Sequence, residues 1–168
     1  MAPKSPPPGY SLSQILLHWL IAILIIFQLI FGESIEHAFH ALMKGKEVNP
    51  ADLSAANIHV YVGITIFVLA VLRLIVRAKN GVPPAPAGTT GVKKWVAAGT
   101  QHLFYLVIFL MPVTGAIAWF GGAATVGFIH TIGKPLIFFL LLLHVAGALV
   151  QHFIAKTDVL VRIVRPAA

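Results

Sequence analysis

Four long apolar segments, separated by short polar stretches, dominate this chain of 168 residues. Each segment is long enough to cross the roughly 30 Å hydrocarbon core of a bilayer as an α-helix. Hydrophobic residues make up 58% of the sequence and charged residues 10%, and the mean hydropathy is +0.91, values far from those of soluble domains. The sequence therefore predicts an all-α integral membrane protein: one four-helix transmembrane bundle over residues 1–168, with no separate soluble domain.

Caps, prolines and charged residues set the predicted boundaries of the spans. We predict spans over about 15–31, 54–76, 97–120 and 129–154, the first capped by Ser11 or Ser13. Pro112 is expected to kink the third span, and Pro135 is expected in or near the first turn of the fourth. The connecting segments are predicted to be a disordered tail over 1–9, a short surface helix over 36–43, an irregular loop over 79–94 and a glycine-rich turn over 121–127.

The chain contains no cysteine and has a formal net charge of +7. The missing thiols exclude disulfides, thiolate ligation of haem, iron–sulfur clusters and c-type haem attachment, which leaves histidine as the main candidate ligand. In a chain this apolar, the basic residues are better explained as topology signals and as contacts for anionic membrane lipid than as a nucleic-acid surface. We therefore predict a lipid environment and no nucleic-acid partner.

Lysine and arginine are distributed unequally between the two sides of the predicted bundle. One side carries nine of them: Lys4, Arg73, Arg77, Lys79, Lys93, Lys94, Lys156, Arg162 and Arg165. The other side carries three: Lys44, Lys46 and Lys134. Because the cytoplasmic side of a membrane protein is enriched in basic residues, both termini are predicted to be cytoplasmic and the loop between the first two spans to lie outside.

His130 and His144 flank an almost unbroken apolar run in the fourth span. Fourteen positions of an α-helix correspond to a rotation about 40° short of four full turns and to a rise of roughly 21 Å. Both imidazoles therefore leave one face of the helix, at very different depths in the bilayer. A single intramembrane histidine is as often a hydrogen-bonded core residue as a ligand, but this spacing favours two sites stacked through the membrane.

Two more histidines lie at matching depths on other spans. His18, near the cytoplasmic side of the first span, matches His144, and His59, near the outer end of the second, matches His130. One haem iron takes two axial nitrogens, so two such pairs are what two bis-histidine b haems require. Their distance along the helix excludes a single zinc shell that uses both His130 and His144, and the spans contain no Asp or Glu, which disfavours a proton relay.

Four other polar residues are candidates for contacts with a haem or a quinone. His152 lies eight positions past His144, about 12 Å further along the helix and about 80° around it, and His102 is predicted at a similar level on the third span. Each is either an interfacial polar residue or a donor to a quinone carbonyl or a haem propionate. Arg73 and Arg77 are either snorkelling interface residues or partners of the propionates. Three glycines either admit a flat macrocycle or allow close helix packing: Gly63, Gly115 and Gly147.

Taken together, the segments that carry these histidines resemble the bacterial cytochrome b561 family. They are YSLSQILLHWL around His18, IHVYVGI around His59, QHLFYLVIFLMPVTG in the third span, and the spacing from His130 to His144 followed by HVAGALVQHF. The similarity runs from residue 10 to about residue 166. It implies two b haems in a four-helix bundle of the bacterial inner membrane, with His18 and His144 ligating the cytoplasmic haem and His59 and His130 the periplasmic haem.

The resemblance also implies a function. It implies a di-haem carrier of electrons between the periplasmic face and the quinone pool, with ubiquinone as the partner in the lipid phase, and it raises superoxide:ubiquinone oxidoreduction as the activity. Lys44, Lys46 and Lys134 would attract the superoxide anion weakly, whereas four outer carboxylates oppose it. Two alternatives stay open: a cytochrome b subunit that exchanges electrons with a partner dehydrogenase, and a cofactor-free transporter or assembly factor.

Overall fold

Helices account for nearly the whole fold in this computed structural model, which describes residues 6–32, 34–86 and 91–167. They are α1 (Leu12–Phe31), α2 (Ser34–Met43), α3 (Pro50–Asn80), α4 (Gly91–Gly121), α5 (Ala124–Leu149), a π-helical turn (Val150–Ile154) and α6 (Val159–Arg162). The described ranges contain no strand. Within these ranges, four helical stretches are long and apolar enough to cross a membrane: Leu12–Phe31, Pro50–Asn80, Lys94–Gly121 and Ala124–Ile154. The predicted all-α fold with four candidate transmembrane helices is confirmed.

The first span begins with a reciprocal cap. The Ser11 side chain accepts from the Gln14 backbone N–H, and the Ser11 N–H donates to Gln14 Oε1 at 2.9 Å, which satisfies two groups that a helix start leaves open. Of the two predicted caps, Ser11 is therefore the one used. Gln14 also donates from Nε2 to the Gly81 carbonyl at 2.9 Å, so that this nearly buried side chain joins the start of α1 to the end of α3.

The second span is longer at both ends than its apolar run. Asn49 caps α3 by accepting from the Ala51 N–H at 2.9 Å, and Pro50 occupies the first turn, where its missing N–H costs nothing. The helix is capped by Gly81, whose φ of 73° is a backbone angle that glycine adopts without strain. The Gly81 N–H donates to the Arg77 carbonyl at 3.0 Å. Arg73 and Arg77 therefore lie inside α3, because a helix can continue beyond the hydrocarbon on polar and basic residues.

The predicted irregular loop over 79–94 is shorter than the sequence indicated. Residues 79 and 80 belong to α3 and the segment from Gly91 onward belongs to α4, which leaves 81–86 as the non-helical part that is described; residues 87–90 lie outside the described ranges. The basic and small residues at 91–94 extend α4 beyond its apolar part. Pro112 lies inside α4, where the sequence placed it.

The fourth span starts earlier than predicted, at Ala124. Gly127 is therefore helical, and Pro135 is the twelfth residue of α5 rather than a first-turn proline, so its predicted position was wrong. Gly127 was predicted to belong to a turn, but the structure gives another reason for a glycine at this position. A Cβ there would lie 2.8 Å from Phe39 Cε1, so Gly127 allows α2 to approach α5 closely. At its far end α5 gives way to the π-helical turn, in which the Ala155 N–H donates to the Val150 carbonyl at 3.0 Å.

Neighbouring spans pack in chain order. α1 packs against α3, α3 against α4, and α4 against α5, while α1 and α5 make few direct contacts in the described ranges. The core contains side chains from all four: Ile21, Ile25, Ile66, Ala70, Val107, Ile137 and Leu140. An apolar groove of about 480 Å³ lies between Ile26 and Leu29 of α1 and Pro135, Phe138 and Leu141 of α5. The bundle is thus open along the side between its first and last spans.

The first and last described segments of the chain meet at one end of the bundle, which we call the terminal end; the other is the distal end. Within the C-terminal segment (residues 158–167), the Ile163 carbonyl accepts from Trp19 Nε1 at 2.9 Å, and the Ala167 N–H donates to the Tyr10 carbonyl at 3.0 Å. Gly9 packs against Ala167. The part of the predicted disordered tail that is described, 6–9, therefore lies against the C-terminal segment; residues 1–5 lie outside the described ranges.

An ion pair lies beside these contacts. Arg162 Nε donates to Asp158 Oδ2 at 2.7 Å, and this hydrogen bond holds the pKa of the Asp158 carboxyl below its ordinary value. Arg162 Nη1 also donates to the Pro84 carbonyl at 2.9 Å. One guanidinium therefore joins the C-terminal segment to the connection between α3 and α4.

Candidate functional site: two histidine pairs inside the bundle

The first histidine pair lies toward the terminal end and is called here the terminal pair. His18 of α1 and His144 of α5 face each other with ring centroids 6.1 Å apart and planes inclined by 52°. His18 is half-buried and His144 is exposed. Aromatic rings flank both: Trp19 lies edge-on to His18 and Phe104 edge-on to His144, each at 5.5 Å.

The second pair, the distal pair, is formed by His59 of α3 and His130 of α5. Its ring centroids are also 6.1 Å apart, with planes inclined by 76°, and both residues are half-buried. Gln28 of α1 donates from Nε2 to the His59 carbonyl at 2.8 Å, so α1 and α3 are tied together at this level. His59 Nδ1 is a buried polar atom with no hydrogen-bond partner in the described part of the chain.

The two pairs share one helix. Both His130 and His144 project from α5, and the fourteen positions between them correspond to roughly 21 Å along the axis. The structure thus brings together the histidines that were matched by depth, at two separate levels. No group of three or more His, Cys, Asp or Glu side chains within the described ranges is arranged to hold a metal ion. The role of the paired histidines as haem ligands stays a prediction.

The three singled-out glycines have different surroundings. A Cβ at Gly115 would lie 2.9 Å from Cε1 and 3.2 Å from Nδ1 of His130, so the imidazole lies directly on the α4 backbone there. A Cβ at Gly63 would meet Gln28 Nε2 at 3.6 Å, which is an ordinary contact. No described residue lies within 4 Å of the Cβ position at Gly147, one turn from His144. Gly115 therefore allows a close approach, whereas Gly147 borders open space beside the terminal pair.

Arg73 lies close to the terminal pair, and Arg77 shares a cleft with it. Arg73 interacts electrostatically with both His18 and His144, and its Nη1 donates to the Gln14 carbonyl at 3.0 Å. A small polar cleft at this end is lined by Tyr10, Gln14, Arg73, Arg77 and Tyr105. Sequence reasoning found the arginines but missed the two tyrosines, because nothing in the local sequence shows that positions 10 and 105 meet.

His102 and His152 do not line this cleft. His102 is exposed, and its Nδ1 lies 2.7 Å from the Ala98 carbonyl one turn back on α4. His152 is half-buried in the π-helical turn, with Nδ1 3.1 Å from the Thr157 carbonyl. The predicted angle of about 80° between His144 and His152 assumed an unbroken α-helix, and the π-helical turn makes that figure wrong.

Imidazoles that face each other from different membrane-spanning helices are the ligand arrangement of b-type cytochromes. A family model described as prokaryotic cytochrome b561 matches residues 9–166. The chain belongs to the prokaryotic cytochrome b561 family, and membership implies haem b as cofactor and electron transfer in a membrane as the general function.

Two curated relatives align with nearly the whole chain. A cytochrome b562 from Cereibacter sphaeroides is 41% identical over 159 residues, which cover 95% of this chain and 97% of the relative. A probable superoxide oxidase, CybB, from Yersinia pestis is 25% identical over 174 residues, covering 91% and 94% respectively. The two differ in their names, so similarity alone assigns the class of protein and not a reaction.

Proposed function

We propose that this protein carries two haem b groups, one held by each histidine pair, and transfers electrons between the outer membrane face and ubiquinone. The observation that carries the proposal is the repetition of one geometry at two levels of a membrane bundle. His18 with His144 and His59 with His130 each place two imidazoles at a centroid separation of 6.1 Å. A chain with one cofactor would need only one such pair.

The ring separation fits axial ligation. Two metal-to-imidazole nitrogen bonds of about 2.0 Å, placed in line, would put the ring centroids roughly 6.3 Å apart. The observed 6.1 Å agrees with that requirement at both levels. The open space at Gly147 beside His144 and the sparse contact between α1 and α5 supply room at the terminal level.

When bound, haem b supplies a redox centre that accepts and releases one electron at a time. The side chains of this protein would hold the haem and shield it from water. His18, His59, His130 and His144 would supply the ligating nitrogens, and the Trp19 and Phe104 rings lie against the terminal pair. We assign Arg73 and Arg77 to the propionates of the cytoplasmic haem, because a guanidinium neutralises a carboxylate at the membrane interface through paired hydrogen bonds.

We further propose that the protein lies in the bacterial inner membrane with both termini in the cytoplasm, so that the terminal pair is the cytoplasmic one. Nine basic residues against three support this orientation. Green fluorescent protein fused to the C-terminus should therefore fluoresce, and alkaline phosphatase inserted at the exposed turn residue Gly45 should be active. The opposite pattern of signals would reverse the assignment of the two haems to the two membrane faces.

Superoxide is the proposed electron donor at the outer face. Support comes from the similarity to a protein named probable superoxide oxidase. The exposed Lys44 and Lys46 at the distal end would attract an anion, while Glu36 and Glu47 on the same surface oppose it. This part of the proposal therefore rests on the relative and not on a strongly positive surface.

Ubiquinone is the proposed acceptor at the cytoplasmic end, with His152 as its contact. The Nδ1 atom of His152 is engaged with the Thr157 carbonyl, which leaves Nε2 for a ligand. In a protonated ring this Nε2–H can donate to a quinone carbonyl, and in a neutral ring the same atom can accept from a quinol hydroxyl. His102 is the second candidate, since its Nδ1 is likewise held by a backbone carbonyl.

The function is tested by reducing the purified protein with superoxide and following haem reoxidation by a soluble ubiquinone in a stopped-flow instrument. The native protein should be reoxidised. His152→Ala should keep both haems and slow reoxidation by roughly tenfold, because a hydrogen bond to the quinone contributes on the order of 1 kcal/mol, and more to a charged form. His40→Ala, at an exposed position on α2, is the matched control and should react like the native protein.

Each failure has a separate meaning. Unchanged reoxidation in His152→Ala would reject His152 as the contact and make His102→Ala the next variant to measure. A native protein that superoxide fails to reduce, but that a chemical donor reduces and quinone reoxidises, would remove superoxide as the donor. A native protein whose reduced haems do not react with quinone would favour the alternative of a cytochrome b subunit serving a partner dehydrogenase.

A further inference from the structure

The imidazole of His130 lies against α4 at two consecutive residues. Gly115 lets the ring approach the backbone so closely that a Cβ would be 2.9 Å from it. The preceding residue, Thr114, places its hydroxyl oxygen 3.2 Å from His130 Nδ1. Thr114 and Gly115 therefore position this ring together: Gly115 leaves space for it, and Thr114 makes a polar contact with it.

The direction of the polar contact follows from the single proton of a hydroxyl. Thr114 Oγ1 lies 2.8 Å from the Leu110 carbonyl and 3.1 Å from the Met111 carbonyl, and it donates to them. Its lone pairs are then left to accept from His130 Nδ1–H. This contact favours the tautomer that carries the proton on Nδ1 and leaves the Nε2 lone pair for a ligand.

The other paired histidines lack this support. His59 Nδ1 is buried without a hydrogen-bond partner, and no ring nitrogen of His18 or His144 has a hydrogen-bond partner in the described ranges. A ligand nitrogen becomes more basic when the other ring nitrogen donates a hydrogen bond, and the ring orientation is fixed as well. Of the four imidazoles, His130 is therefore the one whose tautomer and angle are set by a side chain.

We infer that Thr114 is a positioning residue for the periplasmic haem. Its hydroxyl holds His130 in the ligating tautomer and makes the imidazole a stronger electron-pair donor. The hydrogen bond thereby lowers the reduction potential of this haem relative to a site without the bond. The inference rests on the proposed function, because it requires His130 to be a ligand. The inference goes beyond the proposed function because it assigns the difference between the two haem sites to one hydroxyl group. That hydroxyl lies on α4, a helix that supplies no ligand.

The test compares three variants of the full-length protein. Thr114→Val removes the hydroxyl at nearly constant shape, Thr114→Ser keeps it, and Thr65→Val is the control, since Thr65 makes the same bond to a carbonyl four residues back, Tyr61, at an exposed position. The readouts are the two midpoint potentials from a redox titration, the low-temperature EPR signals of the two ferric haems, and the rate of haem transfer to apomyoglobin.

Thr114→Val should raise the midpoint potential of one haem only, shift the EPR signal of that haem, and speed its transfer to apomyoglobin about tenfold, the lower range of effects seen when a hydrogen-bond partner of a metal ligand is removed. Thr114→Ser and Thr65→Val should match the native protein. A native protein with two haems, in which Thr114→Val behaves like Thr65→Val, would overturn this inference while the proposed function stands. A native protein without a haem at His130 would overturn both.

Discussion

His144→Ala is expected to contain one haem b per chain, whereas the native protein is expected to contain two. The substitution removes one of the two axial nitrogens at the terminal level and leaves the distal pair, which lies roughly 21 Å along α5, unchanged. His130→Ala should have the reverse effect and also give one haem. The ratio of pyridine haemochrome to protein measures the loss, and a redox titration shows which of the two potentials has disappeared.

The matched control is His40→Ala. His40 lies on the exposed face of α2, 3.8 Å from the Glu36 carboxylate, so its removal should leave the ratio at about two. If neither His144→Ala nor His130→Ala lost a haem, the pairing would be wrong. A native ratio of one would reject the di-haem proposal, and a colourless native protein would favour the cofactor-free transporter or assembly factor.

Gly115→Ala should weaken haem retention at the distal level although residue 115 is not a ligand. The new methyl group would lie 2.9 Å from Cε1 and 3.2 Å from Nδ1 of His130, and the ring cannot move away without leaving its alignment with His59. Overpacking of this kind costs about 1–3 kcal/mol, which corresponds to binding weaker by a factor of roughly 5 to 160. Haem transfer to apomyoglobin should therefore become biphasic, with the fast phase coming from the distal site.

Gly99→Ala on the same helix is the control for this experiment. In the part of the chain that the structure describes, no atom lies within 4 Å of its Cβ position, so the added methyl group should have no effect on either haem. If Gly115→Ala released haem no faster than Gly99→Ala, then the close approach of His130 to α4 would not matter for binding. Loss of both haems together would indicate a general packing defect rather than a local one.

The number and type of the membrane-spanning helices could be predicted from the sequence because bilayer thickness and backbone hydrogen bonding leave few options for long apolar runs. The ends of the helices could not. α3 runs on to Asn80 and α4 starts at Gly91, since a helix that has left the hydrocarbon continues until a residue such as Gly81 stops it, and hydropathy carries no information about that point. Pro135 was misplaced for a related reason: a proline within a span resembles a first-turn proline in sequence.

The candidate ligands could be found because α5 holds two of them on one face, and helical periodicity is visible in a single segment. The residues around them depend on contacts between distant parts of the chain. The cleft of Tyr10, Arg73 and Tyr105 and the contact of Thr114 with His130 arise only when separate helices meet. The VTG sequence at 113–115 is the one local signal that was available for Thr114, and it acquires meaning only next to His130.

Because each histidine pair takes one member from α5, the order of synthesis limits when either site can be completed. A nascent chain that has inserted α1, α3 and α4 carries His18 and His59 but no partner for either. At about 5–20 residues per second, His144 is added roughly 1–3 s after His130. Both sites therefore reach completion almost together, once α5 has been synthesised, and a chain truncated before α5 would lack half of each.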